Sequence, residues 1–335
     1  MSVPIAFLIC TEPGRLERQS LLLAESIRKF GGDLKESPIY SFHPRKGQPI
    51  SNETKNAFES LGVFHQQIIL NLNYPTFGYV NKIFVCAYAE QNIKEAEFLC
   101  FLDSDQCILN EPKELLLPDK YNIGICPVVG KGIGSSGEND LIYEDYWKKL
   151  YEVFNISNKL FITTRLSNKK IRGYWNSGMV TVRREAGIFM AWKNSFEKLM
   201  ALGLLPNQGI FFIDQVALAI TICSMTKDVL SLSFGYNYPL LEHNKITKNK
   251  QLNSFDRIIS IHYHRMFQYN DWKKNLENLE NIDRNSSQYK WLEERLSKQE
   301  HDKKPFAYKL KRKINKINIK LKNLKMFNPA KHLRR

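Results

Sequence analysis

The sequence predicts an α/β protein in which a mostly parallel mixed sheet is flanked by helices. Two observations lead to this fold class. Short apolar runs of strand character alternate with helical patterns through the first half of the chain, as in parallel sheets. One run, residues 98–102, is apolar throughout and ends directly at two carboxylates, Asp103 and Asp105. Because unpaired aspartates are costly to bury, we expect them at the sheet edge where ligands bind.

Seven apolar runs of strand length are the predicted strands. The first follows directly on the N-terminus and ends at a turn over residues 11–14, and the run at 98–102 is expected to be the central strand. The predicted strands are residues 3–10, 37–42, 63–70, 98–102, 122–129, 174–182 and 257–264.

Five stretches with helical spacing of apolar residues are the predicted helices. The first is stopped by Gly31 and Gly32, and the fourth has four large apolar side chains at core-facing spacing. The predicted helices are residues 15–30, 79–92, 141–154, 186–201 and 211–225. The later half of the chain is less regular, and we expect it to complete a cleft. Residues 1–270 are the predicted main domain, 271–300 a helical extension and 301–335 a basic amphipathic tail.

The composition excludes several classes of protein. The chain has 335 residues, of which 43% are hydrophobic and 12% aromatic, so it can bury a sizeable core and is not disordered overall. Its six cysteines contain no CxxC pair and favour buried free thiols in a reducing compartment over a disulfide framework or a zinc site. The N-terminus lacks a signal-peptide pattern and no apolar stretch is long enough to span a bilayer. We therefore predict a cytoplasmic protein.

The positive charge is concentrated in the tail. Residues 301–335 hold thirteen Lys or Arg and one Asp, which is +12 of the net +15. Apolar residues recur every three or four positions there, which predicts a cationic amphipathic helix. Such a helix favours peripheral binding to an anionic membrane surface at its inner face, through residues 306–325. Packing on the main domain or on a partner helix is the alternative, and no nucleic acid is expected because the tail lacks interleaved aromatics.

A glycine-rich segment at 132–137 matches the dinucleotide-binding pattern G-x-G-x-x-G. It lies in mid-chain, and the next strand-like run, 160–164, ends without an acidic residue that could bind a ribose. A mobile lid that includes Lys131 is the preferred interpretation.

Four segments in a fixed order carry the candidate site: FLDSD at 101–105, YWNSG at 174–178, FIDQ at 212–215 and ISIHYH at 259–264. This order resembles the GT-A glycosyltransferases, especially the family-8-like branch that includes galactosyl- and glucosyltransferases and glycogenin. In those enzymes an apolar strand runs into D-x-D, followed by N-[SA]-G, a helix that begins with D-Q, and a late strand that ends in a metal-binding His. The resemblance covers roughly residues 3–265 and makes the main domain a GT-A catalytic domain.

The resemblance stops at the end of the late strand. The family's H-x-x-G-x-x-K-P-W has no close equivalent here, because His264 and Arg265 occupy that region.

A divalent metal ion is expected at the two aspartates, either Mn²⁺ or Mg²⁺. When a nucleotide sugar reacts, the leaving diphosphate develops charge that a metal held by hard oxygen ligands can stabilise. Asp105 is the expected main ligand, and the resemblance implies that Asp103 shares the metal or reaches the ribose. His262 would complete the ligand set, since Mn²⁺ accepts imidazole more readily than Mg²⁺ does. His264 has the same side-chain parity on a strand and is the alternative ligand, while a structural histidine at a strand end is the simpler interpretation.

The expected donor-binding residues lie at strand ends and at one helix start. The resemblance implies that Lys82 faces the donor phosphates or sugar, near a helix N-terminus that also favours anions. Residues directly after the first strand could hydrogen-bond a base or ribose, and small residues after Asn176 allow close approach to sugar hydroxyls. The candidates are Thr11, Glu12, Lys82, Asp103, Ser104, Ser177 and Gly178.

Asn176, Asp214 and Gln215 are the candidate catalytic residues. The resemblance implies that Asp214 binds hydroxyls of the donor sugar and that Gln215 supports the oxocarbenium-like centre in a retaining reaction. An inverting enzyme would instead need a carboxylate base positioned on the acceptor. The structural alternatives are an ordinary bulge or turn at Asn176 and a helix-capping or first-turn acid at Asp214.

The expected function is therefore a metal-dependent glycosyltransferase. It would move a sugar from a nucleoside diphosphate sugar, with a UDP-sugar favoured, to a saccharide or lipid-linked acceptor. A nucleotidyltransferase of related fold is the first alternative, but residues 11–18 hold one Gly and two acids instead of a Gly-rich basic loop. A non-catalytic scaffold of the same shape is the second, and the intact Asp103 and Asp105 argue against it.

Overall fold

The structure, a computed structural model, describes residues 3–157, 159–206 and 210–303. The predicted basic tail helix, 306–325, lies outside these residues. The strands are β1 (Val3–Cys10), β2 (Ile39–His43), β3 (Val63–Gln67), β4 (Ala96–Leu102), β5 (Gln106–Ile108), β6 (Ile123–Pro127), β7 (Phe161–Thr163), β8 (Lys170–Arg172), β9 (Trp175–Arg183), β10 (Val229–Ser231), β11 (Tyr238–Pro239) and β12 (Ser260–His262). The α-helices are α1 (Arg15–Phe30), α2 (Asn52–Ser60), α3 (Asn81–Asn92), α4 (Glu144–Val153), α5 (Ile188–Ala201), α6 (Ile213–Met225), α7 (Trp272–Glu277) and α8 (Ser287–Ser297).

The central sheet has seven strands in the order β10-β6-β9-β4-β1-β2-β3. Neighbouring strands are parallel except around β9, which is antiparallel to both β4 and β6. The structure thus confirms the predicted fold class, a mostly parallel mixed sheet flanked by helices.

The apolar run in β4 is explained by burial on both faces. Leu99 and Phe101 pack into a core with α3, α4, α5 and α6, whereas Phe98, Cys100 and Leu102 pack on the opposite face with α1 and α2. Because successive side chains of a strand point to opposite faces, a strand covered on both sides must be apolar at every position.

A second, three-stranded sheet extends the end of β4. Its order is β11-β12-β5, with β12 antiparallel to β5 and parallel to β11. A third core lies under this sheet and includes Leu276 of α7 and Leu292 of α8. The small sheet brings the end of β12 beside the residues that follow β4. The domain boundaries that the sequence predicts at residues 270 and 300 stay predictions.

Several predicted boundaries are corrected. The late strand expected over 257–264 is only Ser260–His262, and His264 has a φ of 50°. This left-handed conformation cannot continue a strand, so His264 lies outside the strand, although its ring centroid is still 3.9 Å from that of His262. The helix expected over 141–154 begins at Glu144. Helix α2 was not predicted, whereas α7 and α8 lie inside the predicted helical extension and β7 lies inside the strand-like run at 160–164. Strands β5, β8, β10 and β11 were not predicted, because each is two or three residues long and too short to show a period.

Asp140 fixes the glycine-rich segment between β6 and α4. Its carboxylate accepts hydrogen bonds from the backbone N–H groups of Ser136 (3.0 Å) and Tyr143 (3.3 Å), and it pairs with Lys131. Burial alone raises the pKa of Asp140, but these donors lower it overall to about 2. The lid predicted here stays a prediction.

All six cysteines are free thiols, five of them buried. In the part of the chain that the structure describes, no helix combines the length and apolarity needed for a bilayer span.

Candidate active site

The antiparallel strand β9 brings two predicted segments together. It runs opposite to β4, so its first residues lie beside the last residues of β4, and Leu102 pairs with Met179. Asp103 and Gly178 are therefore neighbours, and the Asp103 N–H donates to the Gly178 carbonyl at 2.8 Å. The aspartate motif and the Asn-Ser-Gly motif meet at one edge of the sheet, as the sequence predicted.

A buried lysine lies at the centre of this edge. The Lys82 Nζ is 2.7 Å from Oδ1 of Asp103 and 3.7 Å from Oδ2 of Asp214, and it donates to the Ser177 hydroxyl at 3.4 Å. The Ser177 hydroxyl in turn donates to Asp214 at 2.6 Å. Burial alone lowers the pKa of Lys82, but the carboxylates of Asp103 and Asp214 raise it overall, so the lysine is a cation at neutral pH. Burial raises the pKa of Asp214, although Lys82 and Ser177 act in the opposite direction.

Asp105, His262 and His264 form a cluster with the character of a metal site. Each offers one ligand atom, and these atoms lie within 4.8 Å of one another. His262 Nε2 is 3.1 Å from Oδ1 of Asp105, and His264 Nδ1 is 3.6 Å from Oδ2. Burial alone raises the pKa of Asp105, but the two imidazoles hold it well below its usual range. One carboxylate and two imidazoles fit Mn²⁺ better than Mg²⁺, which prefers oxygen ligands.

The two aspartates of the motif have different neighbours. Asp105 faces the imidazoles, whereas Asp103 pairs with Lys82. Gly178 separates the two groups, because a Cβ at this position would lie 2.8 Å from Oδ2 of Asp103 and 3.0 Å from Cε1 of His262. The close approach of β9 to both side chains therefore requires glycine.

A buried amide network holds Asn176. Its Oδ1 accepts from the Gly178 N–H at 2.9 Å and from Nδ2 of Asn237 at 2.9 Å, and Gln106 Nε2 donates to Asn237 Oδ1 at 2.6 Å. Arg165 fixes the loop before Asn237 by donating to four of its backbone carbonyls. Asn237, Gln106 and Arg165 were not predicted, since single polar residues in irregular segments, or at the start of a three-residue strand such as β5, have no periodic signal.

A cavity of about 330 Å³ opens beside Lys82 and is also lined by Glu12, Arg45, Asn81 and Ser104. Glu12 accepts from Arg45 Nε at 2.6 Å and from Asn81 Nδ2 at 3.0 Å, so its carboxylate is fixed at the wall of this cavity. Arg45 lies outside every predicted motif and was not identified from the sequence.

Two predicted residues neither line this cavity nor form a side-chain hydrogen bond or ion pair with another predicted site residue. Thr11 is fully buried behind it, where its hydroxyl donates to Ser20 and accepts from Ser41, each at 2.8 Å. Gln215 is half-buried at the start of α6, and its side chain forms no hydrogen bond with a described residue. The roles expected for these two residues stay predictions.

The comparison with protein families identifies the chain. A family model described as the Rhodobacterales glycosyltransferase domain matches residues 7–226, well over half of the chain. The chain belongs to this glycosyltransferase family. The matched segment of the glycosyltransferase contains Lys82, Asp103, Asp105 and Asp214 and ends before His262.

Solved glycosyltransferase structures that match this chain have low sequence identity to it. The WbbM bifunctional glycosyltransferase is 15% identical, with 86% of this chain and 51% of that chain covered and a TM-score of 0.49. GlyE of Streptococcus pneumoniae TIGR4 is 13% identical, with 89% and 66% covered and a TM-score of 0.48. The galactosyltransferase LgtC is 10% identical, with 85% and 99% covered and a TM-score of 0.49. The chain thus spans about half the length of WbbM and 66% of GlyE. It matches no curated protein sequence.

Proposed function

We propose that this glycosyltransferase moves a sugar from a nucleoside diphosphate donor, with a UDP-sugar favoured, to a saccharide or lipid-linked acceptor, and that it requires a divalent metal ion. The observation that carries the proposal is the cluster of Asp105, His262 and His264 next to the buried cation of Lys82. Metal ligands and a fixed positive charge at one sheet edge suit a ligand with a diphosphate.

Asp105, His262 and His264 would hold the metal, Mn²⁺ in preference to Mg²⁺, and Asp103 is the further candidate ligand. A bound divalent ion acts as a Lewis acid that stabilises negative charge on the leaving diphosphate.

The residues around Lys82 would position the donor. The Lys82 ammonium, buried between carboxylates, places a fixed charge where the donor phosphates or sugar would approach. The Oδ1 of Asn176 is already occupied by Gly178 and Asn237, so its amide N–H groups are the part free to donate to a sugar hydroxyl. The cavity walled by Glu12 and Arg45 would take the nucleoside.

Retention of configuration is the proposed outcome. Asp214 is engaged by both Lys82 and Ser177, which supports a role in binding the donor sugar and disfavours a role as a free base on the acceptor. Gln215, one residue later, remains the candidate that supports the oxocarbenium-like centre.

A donor screen tests the proposal. The full-length protein is incubated with nucleoside diphosphate sugars with and without Mn²⁺, and thermal stabilisation and donor hydrolysis are measured. We expect a UDP-sugar to bind only with metal present. We expect the Asp105→Asn variant to lose this metal-dependent binding. Asp256→Asn, which removes an exposed carboxylate outside the cluster, is the matched control. Failure of every nucleoside diphosphate sugar to bind would overturn the proposal, and metal-dependent binding by Asp105→Asn would reject the metal site.

We also propose that residues 1–270 form the catalytic domain and 271–300 a helical extension, and that the tail, 301–335, attaches the enzyme to anionic membrane surfaces. The charge of the tail, +12, supports the attachment. Sedimentation with anionic vesicles tests it: the full chain should pellet and a chain without residues 303–335 should not. Equal pelleting of the two would reject the role of the tail.

A further inference from the structure

A second, larger cavity of about 710 Å³ lies next to the candidate metal cluster. It shares Arg15, Gln19, Tyr79 and Asp105 with the smaller cavity beside Lys82. The two cavities therefore adjoin at these four residues, one of which, Asp105, belongs to the candidate metal cluster. In a glycosyl transfer the donor and acceptor must meet at the reacting centre. If the smaller cavity takes the donor, the larger one is the place for the acceptor.

The charge of the larger cavity is strongly one-sided. Among its described lining residues the single carboxylate is Asp105, which already faces two imidazoles. Three cationic side chains line the same cavity, namely those of Arg15, Lys245 and Arg265. Lys245 is paired with Glu242. Arg15 and Arg265 are therefore the two positive charges of this cavity that have no ion-pair partner among the described residues.

Neither guanidinium group forms an ion pair with a described carboxylate. Asp302, whose pKa is lowered by Gln268, Arg18 and more weakly by Arg15, is paired with Arg18. Arg265 is exposed, and its side chain forms no ion pair or hydrogen bond with a described residue. Arg15 makes one long contact, 3.5 Å from Nη1 to Oε1 of Gln268, and its buried Nε has no partner. A planar guanidinium is well suited to a bidentate contact with a phosphate or carboxylate. Two unpaired arginines at one cavity thus favour an anionic ligand.

Another part of the cavity lining is apolar and exposed. Tyr79 and Phe211 have their ring centroids 4.7 Å apart, and the side chains are 48% and 49% exposed. Leu241, on the same cavity, is 56% exposed. Large apolar side chains grouped at a cleft mark a binding surface, and aromatic faces suit a ligand that has both apolar faces and polar groups. A sugar ring has this character.

We propose that the acceptor is an anionic saccharide, whose phosphate or carboxylate group binds Arg265 and Arg15 while a sugar ring packs on Tyr79 and Phe211. The inference rests on the proposed nucleotide-sugar donor. Arg265 lines only the larger cavity, whereas Arg15 lines both. Substitution of Arg265 can therefore test acceptor binding separately from donor binding.

The test uses the full-length enzyme, the donor found in the screen, and three matched series of oligosaccharides that are neutral, phosphorylated or carboxylated. We expect an anionic series to be used with at least about tenfold higher kcat/KM than the neutral one, and its preferred group identifies the anion. Arg265→Gln should lower kcat/KM for that series by about ten- to a hundredfold, the effect of losing a charged hydrogen bond. It should change the donor Kd by less than about twofold, and it should lower the kcat/KM for neutral acceptors much less than that for the anionic series. Arg265→Lys should recover only part of the loss, because an ammonium lacks the planar fork.

Arg257→Gln is the matched control, because it removes the same charge. Arg257 is exposed and lines neither cavity. A neutral series that is used as well as the anionic ones would overturn the inference. So would an Arg265→Gln enzyme that loses affinity for the donor, because the arginine would then serve the diphosphate. Metal-dependent donor binding is measured separately, so its absence rejects the proposed function, whereas its presence without anionic preference rejects only the acceptor class.

Discussion

Replacing Lys82 by methionine should destabilise the protein strongly, because two carboxylates depend on its charge. The lysine side chain is 10% exposed, and those of its partners Asp103 and Asp214 are 25% and 6% exposed. Methionine has a similar length and no charge, so the substitution leaves Asp214 buried with only the Ser177 hydroxyl as a side-chain partner. Removing one member of a buried ion pair costs roughly 3–5 kcal/mol, and we expect a loss in this range.

The origin of this loss can be separated from lost packing by a double substitution. Lys82→Met combined with Asp214→Asn removes the stranded charge and keeps the shape of both side chains. The double variant should therefore recover about 2 kcal/mol relative to Lys82→Met, because a neutral amide costs less to bury than an unpaired carboxylate. Urea unfolding at pH 7, followed by circular dichroism, gives the free energy of unfolding for each variant.

A surface lysine supplies the control. Lys193 pairs with Glu197 at 3.6 Å on the exposed face of α5, and Lys193→Met should cost less than about 0.5 kcal/mol. The reasoning is refuted if Lys82→Met is no more harmful than Lys193→Met, or if the double variant is no more stable than Lys82→Met.

Two further predictions concern the close packing of the site and the glycine-rich segment. Gly178→Ala places a Cβ 2.8 Å from Oδ2 of Asp103, and the resulting shift should lower kcat/KM by about a hundredfold. Gly130→Ala, where a Cβ meets nothing within 4 Å, should retain activity, and equal kcat/KM values for the two variants would contradict the argument. Because the folded-state pKa of Asp140 is lowered to about 2, its ionised carboxylate stabilises the protein above pH 4, and this contribution is lost as the pH falls towards 2. Asp140→Asn should therefore unfold more easily than wild type by about 2 kcal/mol at pH 6, with a smaller difference at pH 3. A difference that is the same at both pH values would show that the lowered pKa of Asp140 does not contribute to stability.

The central sheet was predictable because its pattern is local. Strand β1 and helix α1 begin and end at the predicted residues, since a doubly covered strand is apolar throughout and a helix before Gly31 has a clear stop signal. The short strands of the second sheet were not predictable in this way. Strand β5 has three residues, and its pairing with β12 depends on contacts distant in sequence.

The candidate site shows the same division. Motif order indicated that the segments with Asp105, Asp214 and His262 would form one site. In the structure His262 contacts Asp105, and Lys82 lies between Asp103 and Asp214, while the roles of these residues stay predictions. Arg45 and Asn237 could not be found, because each reaches the site from an irregular segment where hydrogen bonding to Glu12 or Asn176 is visible only in three dimensions. The conformation of His264 also depends on tertiary context, since its left-handed φ redirects the chain after β12.

The pairing of Asp105 with His262 has a consequence for synthesis of the protein. These two residues are 157 positions apart, and a ribosome adding about 5–20 residues per second needs roughly 8–30 s to make the second after the first. Before His262 is made, the nascent chain comes to include the whole family-matched segment, 7–226, without either imidazole of the cluster. A nascent chain can thus form most of the central sheet before all three residues of the proposed metal site exist. If that site binds a metal ion as proposed, the order of translation delays its completion until the catalytic domain is almost fully synthesised.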